Sequence, residues 1–364
     1  MNLRSLDSAY CKALGIFNPY DALEYRITND LPRFDAQAYR LNKEYRFVYD
    51  KLFIAQSQGM RCGTLESLRT DTPDFPIFIK PRYGHKTASS KYCYKIASRA
   101  ELEPHFSKPD MMWSEFVNAT EGMTDFVLVD GEIVYQLSYK YSEKQLGFAD
   151  VWKLISSDLQ PPSEIVDWVG KHMQGYTGPL NVQYRDVKII EVGMRFARSG
   201  MYIESAQNHD LVDAINRMWE TKSWDHRADN KLRITPFYSF KCWSPCPVFY
   251  LLPQHAVDWI MHKHKCMTFY EYYFEPTGKS SLVFFQFLHR DFEKGMQAKR
   301  ELERWLIVMN AVMAILLLFG VLMVVWKKTF TWLVVALLLY LTTLINSVDV
   351  IVHQIKNQRQ FTGL

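Results

Sequence analysis

Cysteine is sparse in this sequence: six in 364 residues, at positions 11, 62, 93, 242, 246 and 266. That scatter excludes the dense framework of a secreted disulfide scaffold. Excess charge is also lacking. The net value is +4, from 43 basic and 39 acidic side chains, too little for the basic stripe that nucleic acid requires. No internal repeat and little low-complexity sequence occur, which sets aside solenoids and disordered tails. The stretch Met1-Asn2-Leu3-Arg4-Ser5-Leu6-Asp7 has no basic-then-apolar leader pattern. With the scattered thiols, this predicts a reducing, cytosol-facing soluble part.

Hydrocarbon, by contrast, is plentiful. Apolar residues make up 48% of the chain, enough to core one large domain or two modest ones. Trp305 to Trp326 carries no charge, and Asn310 is its only strongly polar side chain. As a helix at ~1.5 Å per residue it spans ~33 Å, against ~30 Å for a hydrocarbon core. Lys327 and Lys328 follow, then a second uncharged run from Phe330 to Val348. The pair predicts an antiparallel transmembrane hairpin with Trp305, Trp326 and Trp332 at the interfaces. Lys294, Lys299, Arg300, Arg304, Lys356 and Arg359 outnumber the two lysines of the turn, so both termini are expected in the cytosol. The alternative is a buried hairpin in a soluble core.

Along the soluble part, Phe47, Val48, Leu52, Phe53 and Ala55 predict an amphipathic helix over Tyr45 to Gly59. Ile77 to Ile79 reads as a buried strand ending at Lys80-Pro81, after a turn-rich break at 70–76. Ala97 to Phe106 is a short helix and Met111 to Val117 a strand. Asp125 to Ser138 is a hairpin turning at Asp130-Gly131, a dipeptide suited to a two-residue turn. Ser163 to Met173 is a helix ended by Gly175. Leu180 to Arg185 and Val187 to Val192 are strands about a tight turn. Asn208 to Trp219 is an amphipathic helix. Strands dominate from Lys231 to Phe287, with a helix near His255 to His264. A charged helix from Asp291 to Arg304 runs into the first span.

Four pieces of this α+β order carry chemistry. In Phe78-Ile79-Lys80-Pro81-Arg82-Tyr83-Gly84-His85-Lys86, then Thr87-Ala88-Ser89-Ser90-Lys91, a strand delivers a lysine and a Gly/Ser/Lys loop follows. Such a loop can lay backbone N–H groups and cations against phosphates. Trp113-Ser114-Glu115-Phe116-Val117, then Glu121, can offer backbone groups to adenine and a carboxylate to ribose. Asn181-Val182-Gln183-Tyr184 precedes Ile190-Glu191-Val192-Gly193-Met194-Arg195-Phe196-Ala197-Arg198-Ser199. There a strand-end carboxylate can bind Mg2+ through hard oxygen, and two arginines can neutralise a phosphoryl group.

From Tyr45 to Trp219 these strings, in this order, resemble the ATP-grasp superfamily, and especially the synthetase domains of carbamoyl-phosphate synthetase large chains and related carboxylate–amine ligases. The resemblance implies an ATP-grasp fold, two α+β subdomains clasping ATP. It also implies phosphorylation of a carboxylate by ATP and displacement of phosphate by an amine or similar nucleophile. By motif, Lys80 would contact the α-phosphate and adenine side. Gly84, Lys86 and Ser89 would belong to the phosphate-covering loop. Glu115 and Val117 would line the adenine pocket and Glu121 would hold the ribose. Gln183 and Glu191 would ligate Mg2+. Arg195 would steady the γ-phosphate or the acyl-phosphate, with Arg198 and Ser199 behind it.

Three features depart from that pattern. The family's Asn two residues after the metal-binding Glu is here Gly193. The phosphate loop holds one glycine, Gly84. The N-terminal lobe is short. The expected layout is therefore a shortened lobe over 1–70, an ATP-grasp domain with a strand-rich extension over 71–300, a membrane hairpin over 301–352 with spans at 305–326 and 330–348, and a cytosolic tail over 353–364. The reading that follows is a membrane-tethered ligase for a small-molecule or lipid-linked carboxylate, in contact with membrane lipids. The alternative is a catalytically impaired nucleotide sensor or membrane scaffold. Taken singly, Glu191, Arg195 and Arg198 also read as a surface ion-pair cluster. Cys242 and Cys246 with His255, His262, His264 and Cys266 could suit zinc, or the cysteines could be small buried apolar groups.

Overall fold

The computed structural model describes residues 26–86, 92–145, 149–244, 254–267, 269–277 and 281–327, with positions 331, 334 and 338. Ser89, Cys11 and Cys246 lie outside the described residues. So does the second apolar span, three isolated positions excepted. Two compact units interleave along the chain. One comprises Glu24–Tyr141 with Ile155–Pro236; the other comprises Ser142–Leu154 with Phe237–Lys356.

The first unit holds two antiparallel sheets. Its smaller sheet uses β1 (Cys62–Thr64), β2 (Ile77–Pro81), β3 (Tyr94–Ile96) and β4 (Met111–Glu115), in the order β1-β4-β2-β3. Ile77, Ile79, Met111, Leu65, Leu68, Ile96 and Leu102 form its core. The larger sheet contains β5 (Glu121–Val129) and β6 (Glu132–Tyr141). Setting aside β7 (Trp152–Ser156), it continues with β8 (Gly178–Arg185) and β9 (Lys188–Gly193). Within this unit the order is β9-β8-β5-β6. The β5–β6 turn falls at Asp130-Gly131, with φ of 50° and 84°. Both are the positive values that a two-residue hairpin of matching twist requires.

Three helices pack here: α1 (Asp35–Leu41), α2 (Lys51–Ser57) and α3 (Ser163–His172). Ile165, Trp168, Val169 and Met173 of the α3 region meet Phe126, Leu180, Val182 and Val192 of the sheet. That face follows the apolar spacing of α3. A fourth helix, α4 (His209–Thr221), is capped by Asn208, whose side chain accepts from the Leu211 N–H. The single helix expected over Tyr45 to Gly59 is instead a 3-10 turn, Lys43–Tyr49, followed by α2. Asp50 causes the break. Its carboxylate accepts from the Leu52 N–H at 3.0 Å and so starts a new helix.

In the second unit the strand order is β7, β10 (Phe237–Ser244), β12 (Ser281–His289), β11 (Phe269–Thr277). It also holds helices α5 (Gln254–Lys263) and α6 (Phe292–Lys327). Ala298, Leu302 and Leu306 of α6 pack with Phe240, Cys242, Val257, Ile260, Phe285 and Phe287. Cys242 is thus a core residue, and burial pushes its thiol well above the ordinary range. Among the described residues no three His, Cys, Asp or Glu side chains gather as a metal site. Beyond Leu306 the helix turns apolar and outward: Ile307, Val308, Ile315 and Leu318 are each more than half exposed. Asn310 returns its side-chain N–H to the Leu306 carbonyl at 2.8 Å, while its Oδ1 has no partner among the described residues.

Candidate functional site

The antiparallel register of β8 and β9 sets Gln183 opposite Glu191 and Asn181 opposite Gly193. Cross-strand partners share a face, and residues two apart along a strand share it too. Polar groups from two strands are therefore presented together at one end of the sheet. Glu191 pairs with Lys51, Nζ to Oε2 at 3.2 Å. Lys51 is the first residue of α2, in place because Asp50 caps that helix. Asp50 is itself gripped by Arg82, with bonds of 2.8 and 2.5 Å. From the small sheet, Lys80 donates to the Ile190 carbonyl at 2.8 Å. Two buried ammonium groups thus approach one carboxylate.

The electrostatics follow from that crowding. Burial, then the like charge of Lys51, pulls Lys80 down to about 8. Burial also lowers Lys51, but Glu191, Cys93 and Asp35 together outweigh it and the net shift is upward. Burial would raise Glu191; Lys51, Arg195 and Lys80 together hold it below the ordinary carboxylate range.

Arg195 stands just past the end of β9. Its Nε and Nη2 both donate to Oδ2 of Asp35, at 3.2 and 2.9 Å, and its Nη1 donates to Asn181 Oδ1 at 3.3 Å. Asn181 in turn donates to Asp125 Oδ1 at 2.8 Å. Asp125 also accepts from the Ala197 N–H at 2.9 Å and the Tyr139 hydroxyl at 2.6 Å. Burial still pushes Asp125 up to about 6. Its three donors fix the strand before the arginine and the loop after it. In that loop Arg198 and Ser199 have φ of 49° and 57°. Such non-glycine conformations cost on the order of 1–3 kcal/mol each and persist only where surroundings enforce them. Here Ser199 Oγ donates to the Arg33 carbonyl at 2.7 Å, and Arg33 Nη1 donates to the Ser199 carbonyl at 3.0 Å.

Of the residues singled out in the sequence, Lys80, Gln183, Glu191 and Arg195 converge on this end of β8 and β9. Gly84 opens a short 3-10 turn, Gly84–Lys86, and lies against the Lys51 side chain. Lys86 closes that turn. Glu115, Val117 and Glu121 form an adjoining group. Glu115 accepts from Arg61 at 3.3 Å. Arg185 donates to the Val117 carbonyl at 3.4 Å and to Glu121 at 3.3 Å. The charge of Arg185 is felt at Lys80, which links the two groups.

Three participants were missed by sequence reasoning: Lys51, Arg185 and Asp35. Lys51 reads in sequence as an ordinary helix lysine. Asp35 lies 160 positions before Arg195. Taken together, Lys51, Lys80 and Arg195 supply cationic donors about a strand edge bearing Gln183 and Glu191. That arrangement suits an oxyanion such as a phosphate chain, and its amide and carboxylate oxygens suit a hard divalent cation.

No protein-family model matches the sequence, and no curated protein matches it. Solved structures do. The chain resembles an L-amino acid ligase from Bacillus licheniformis, at 14% identity and a TM-score of 0.48 over 74% of this chain and 72% of that one. It also resembles a carboxyaminoimidazole ribonucleotide synthase from Aspergillus clavatus complexed with ATP, at 9% identity and a TM-score of 0.49 over 75% of each chain. A third is the biotin carboxylase domain of Hydrogenobacter thermophilus 2-oxoglutarate carboxylase with MgADP and bicarbonate. That likeness is 12% identity and a TM-score of 0.45 over 71% of this chain and 68% of that one.

Proposed function

We propose that the first unit binds ATP and transfers its γ-phosphoryl group to a carboxylate, which an amine or similar nucleophile then attacks. The carboxylate oxygen would displace ADP at phosphorus. The nucleophile would then displace phosphate at the acyl carbon. One observation carries this reading: Lys51, Lys80 and Arg195, drawn from three separate segments, act together on Glu191. Lys80 and Lys51 would neutralise phosphate oxygens. Arg195 would stabilise charge on the phosphoryl group in flight. Glu121, with the Glu115–Val117 segment, would face the nucleoside. Gln183 and Glu191 would hold Mg2+. The Glu191 side chain is about a third exposed, and the Gln183 side chain, as distinct from its ladder-paired backbone, makes no hydrogen bond among the described residues, so both can turn oxygen to a cation. A bound Mg2+ would supply neutralisation of phosphate charge.

The same proposal tethers the chain to a membrane through α6, with both termini in the cytosol and a second span after it. The exposed apolar face from Ile307 to Leu322 supports the tether. At its base lies a cavity whose lining includes Arg300, Arg304 and Trp305 together with Lys263 and Glu301, which pair at 2.9 Å; the two arginines and the indole suit anionic headgroups. A lipid-linked carboxylate is the substrate class that such tethering favours. The test is ATP-dependent phosphate release by full-length protein in lipid nanodiscs with candidate acids and amines. Glu191→Gln should abolish it; activity indifferent to that change would exclude the site.

A second reading, nucleotide binding without turnover, is favoured by Gly193 and by the ion pairs that already engage Glu191 and Arg195. ADP binding with no phosphate release toward any acid would select it.

A further inference from the structure

We infer that Asp35 supplies the metal-facing oxygen that position 193 lacks, so that Asp35, Glu191 and Gln183 form the divalent-cation site. The inference rests on the nucleotide-binding reading above and names a residue outside every motif that suggested it.

Asp35 divides its two oxygens unequally. Both of its bonds from Arg195 go to Oδ2. Its Oδ1 is buried and has no hydrogen-bond partner among the described residues. The residue as a whole is 7% exposed. A buried carboxylate oxygen left without a donor costs on the order of 1–3 kcal/mol, so its presence calls for a partner. Its position says which. A Cβ built on Gly193 would lie 2.6 Å from that oxygen. Asp35 Oδ1 therefore fills the space where a side chain at 193 would begin.

Gly193 and Glu191 are two residues apart on β9 and face the same way. The Asp35 oxygen thus enters on the face that bears Glu191 and, across the ladder, Gln183 and Asn181. Both carboxylates act on the same cations, Lys51 and Arg195. Two carboxylates and an amide carbonyl are hard oxygen donors of the kind Mg2+ and Mn2+ prefer. Glycine at 193 is on this account a condition of the site: any side chain there would collide with the incoming ligand. The rival role for Asp35 is counter-ion to Arg195 alone. That role explains Oδ2 but leaves Oδ1 unaccounted for.

The experiment uses the full-length protein in nanodiscs. ADP affinity is measured with and without Mg2+, and Mn2+ binding in the presence of ADP is followed by electron paramagnetic resonance. Loss even of an outer-shell partner weakens metal binding by about 10–100-fold. Asp35→Ala should therefore weaken Mn2+ by at least about tenfold, with metal-free ADP affinity little changed. Gly193→Asn alone should also weaken Mn2+, through collision with Asp35. Asp35→Ala with Gly193→Asn should recover Mn2+ binding, because the strand then provides the oxygen itself. Asp35→Asn, which preserves shape, guards against a folding defect and should lose Mn2+ affinity too. Wild-type Mn2+ affinity in Asp35→Ala overturns the inference. So does an equal loss of ADP affinity with and without metal, which would make Asp35 a positioning residue for Arg195. A wild-type protein that binds no ADP at all overturns the nucleotide reading itself.

Discussion

The two units break opposite halves of the same rule. The first buries charge: Lys51, Lys80 and Asp35 are each at least nine-tenths covered. The second exposes hydrocarbon, with Ile315 65% and Leu318 61% accessible. Each is costly in water, the first through lost hydration of ions and the second through apolar surface left wet. The lesson is that a departure from inside-apolar, outside-polar order names the missing partner by its chemistry. Buried cations around an acceptor-rich strand edge fit the proposed phosphates and metal. An uncharged rod asks for lipid.

That contrast can be broken most sharply at the rod. Lysine at both Ile315 and Leu318 should cost ~5–7 kcal/mol of insertion free energy, at ~2.5–3.5 kcal/mol each near a span's centre. The double variant should leave the membrane fraction on flotation. If it remains there, α6 is not the anchor.

In the charged unit the next largest effect belongs to Asp125. Its pKa is raised by burial to about 6, so between the unfolded value near 4 and about 6 the folded state binds the extra proton. Stability therefore falls as pH rises through that window, by about 3 kcal/mol in all. Asp125→Asn should flatten the dependence and raise stability at pH 7, as read from urea unfolding between pH 4 and 7. An unchanged slope would mean that Asp125 stays ionised throughout.

Lys80→Met removes one charge-assisted contact to the proposed phosphates, worth ~1.5–3 kcal/mol. ADP should bind about 10–100-fold more weakly by calorimetry, with the melting temperature no lower, because a buried charge has gone. The smallest effect is a proton count. With Lys80 lowered to about 8, roughly half of it is neutral at pH 8, and phosphate binding should restore the charge. Calorimetry in buffers of differing ionisation enthalpy should show uptake of about half a proton at pH 8, vanishing in Lys80→Met.

What was legible in the sequence was local. Asp130-Gly131 marked its own turn, Lys80-Pro81 its strand end, and the tight turn after Arg185 the two strands that bear Gln183 and Glu191. Each rests on backbone rules that act within a few residues. Asp35 and Lys51 were illegible for the complementary reason. Asp35 meets Arg195 and Gly193 only through tertiary packing, and nothing near Phe34 announces it. Lys51 looked like part of a longer helix, because the capping role of Asp50 competes with an unbroken apolar period across it. Gly193, which as a letter reads as a lost ligand, gains a different meaning once its neighbour is seen.

The helix Phe292–Lys327 runs without interruption for 36 residues, ~54 Å at ~1.5 Å each. Its first turns lie clamped in the core through Ala298, Leu302 and Leu306; its later turns are the apolar rod. No hinge separates clamp from rod, so the two cannot tilt independently. A bilayer that thins or thickens, and so changes the inclination of the rod, would lever directly on the aromatic packing of Phe240, Phe285 and Phe287 at its foot.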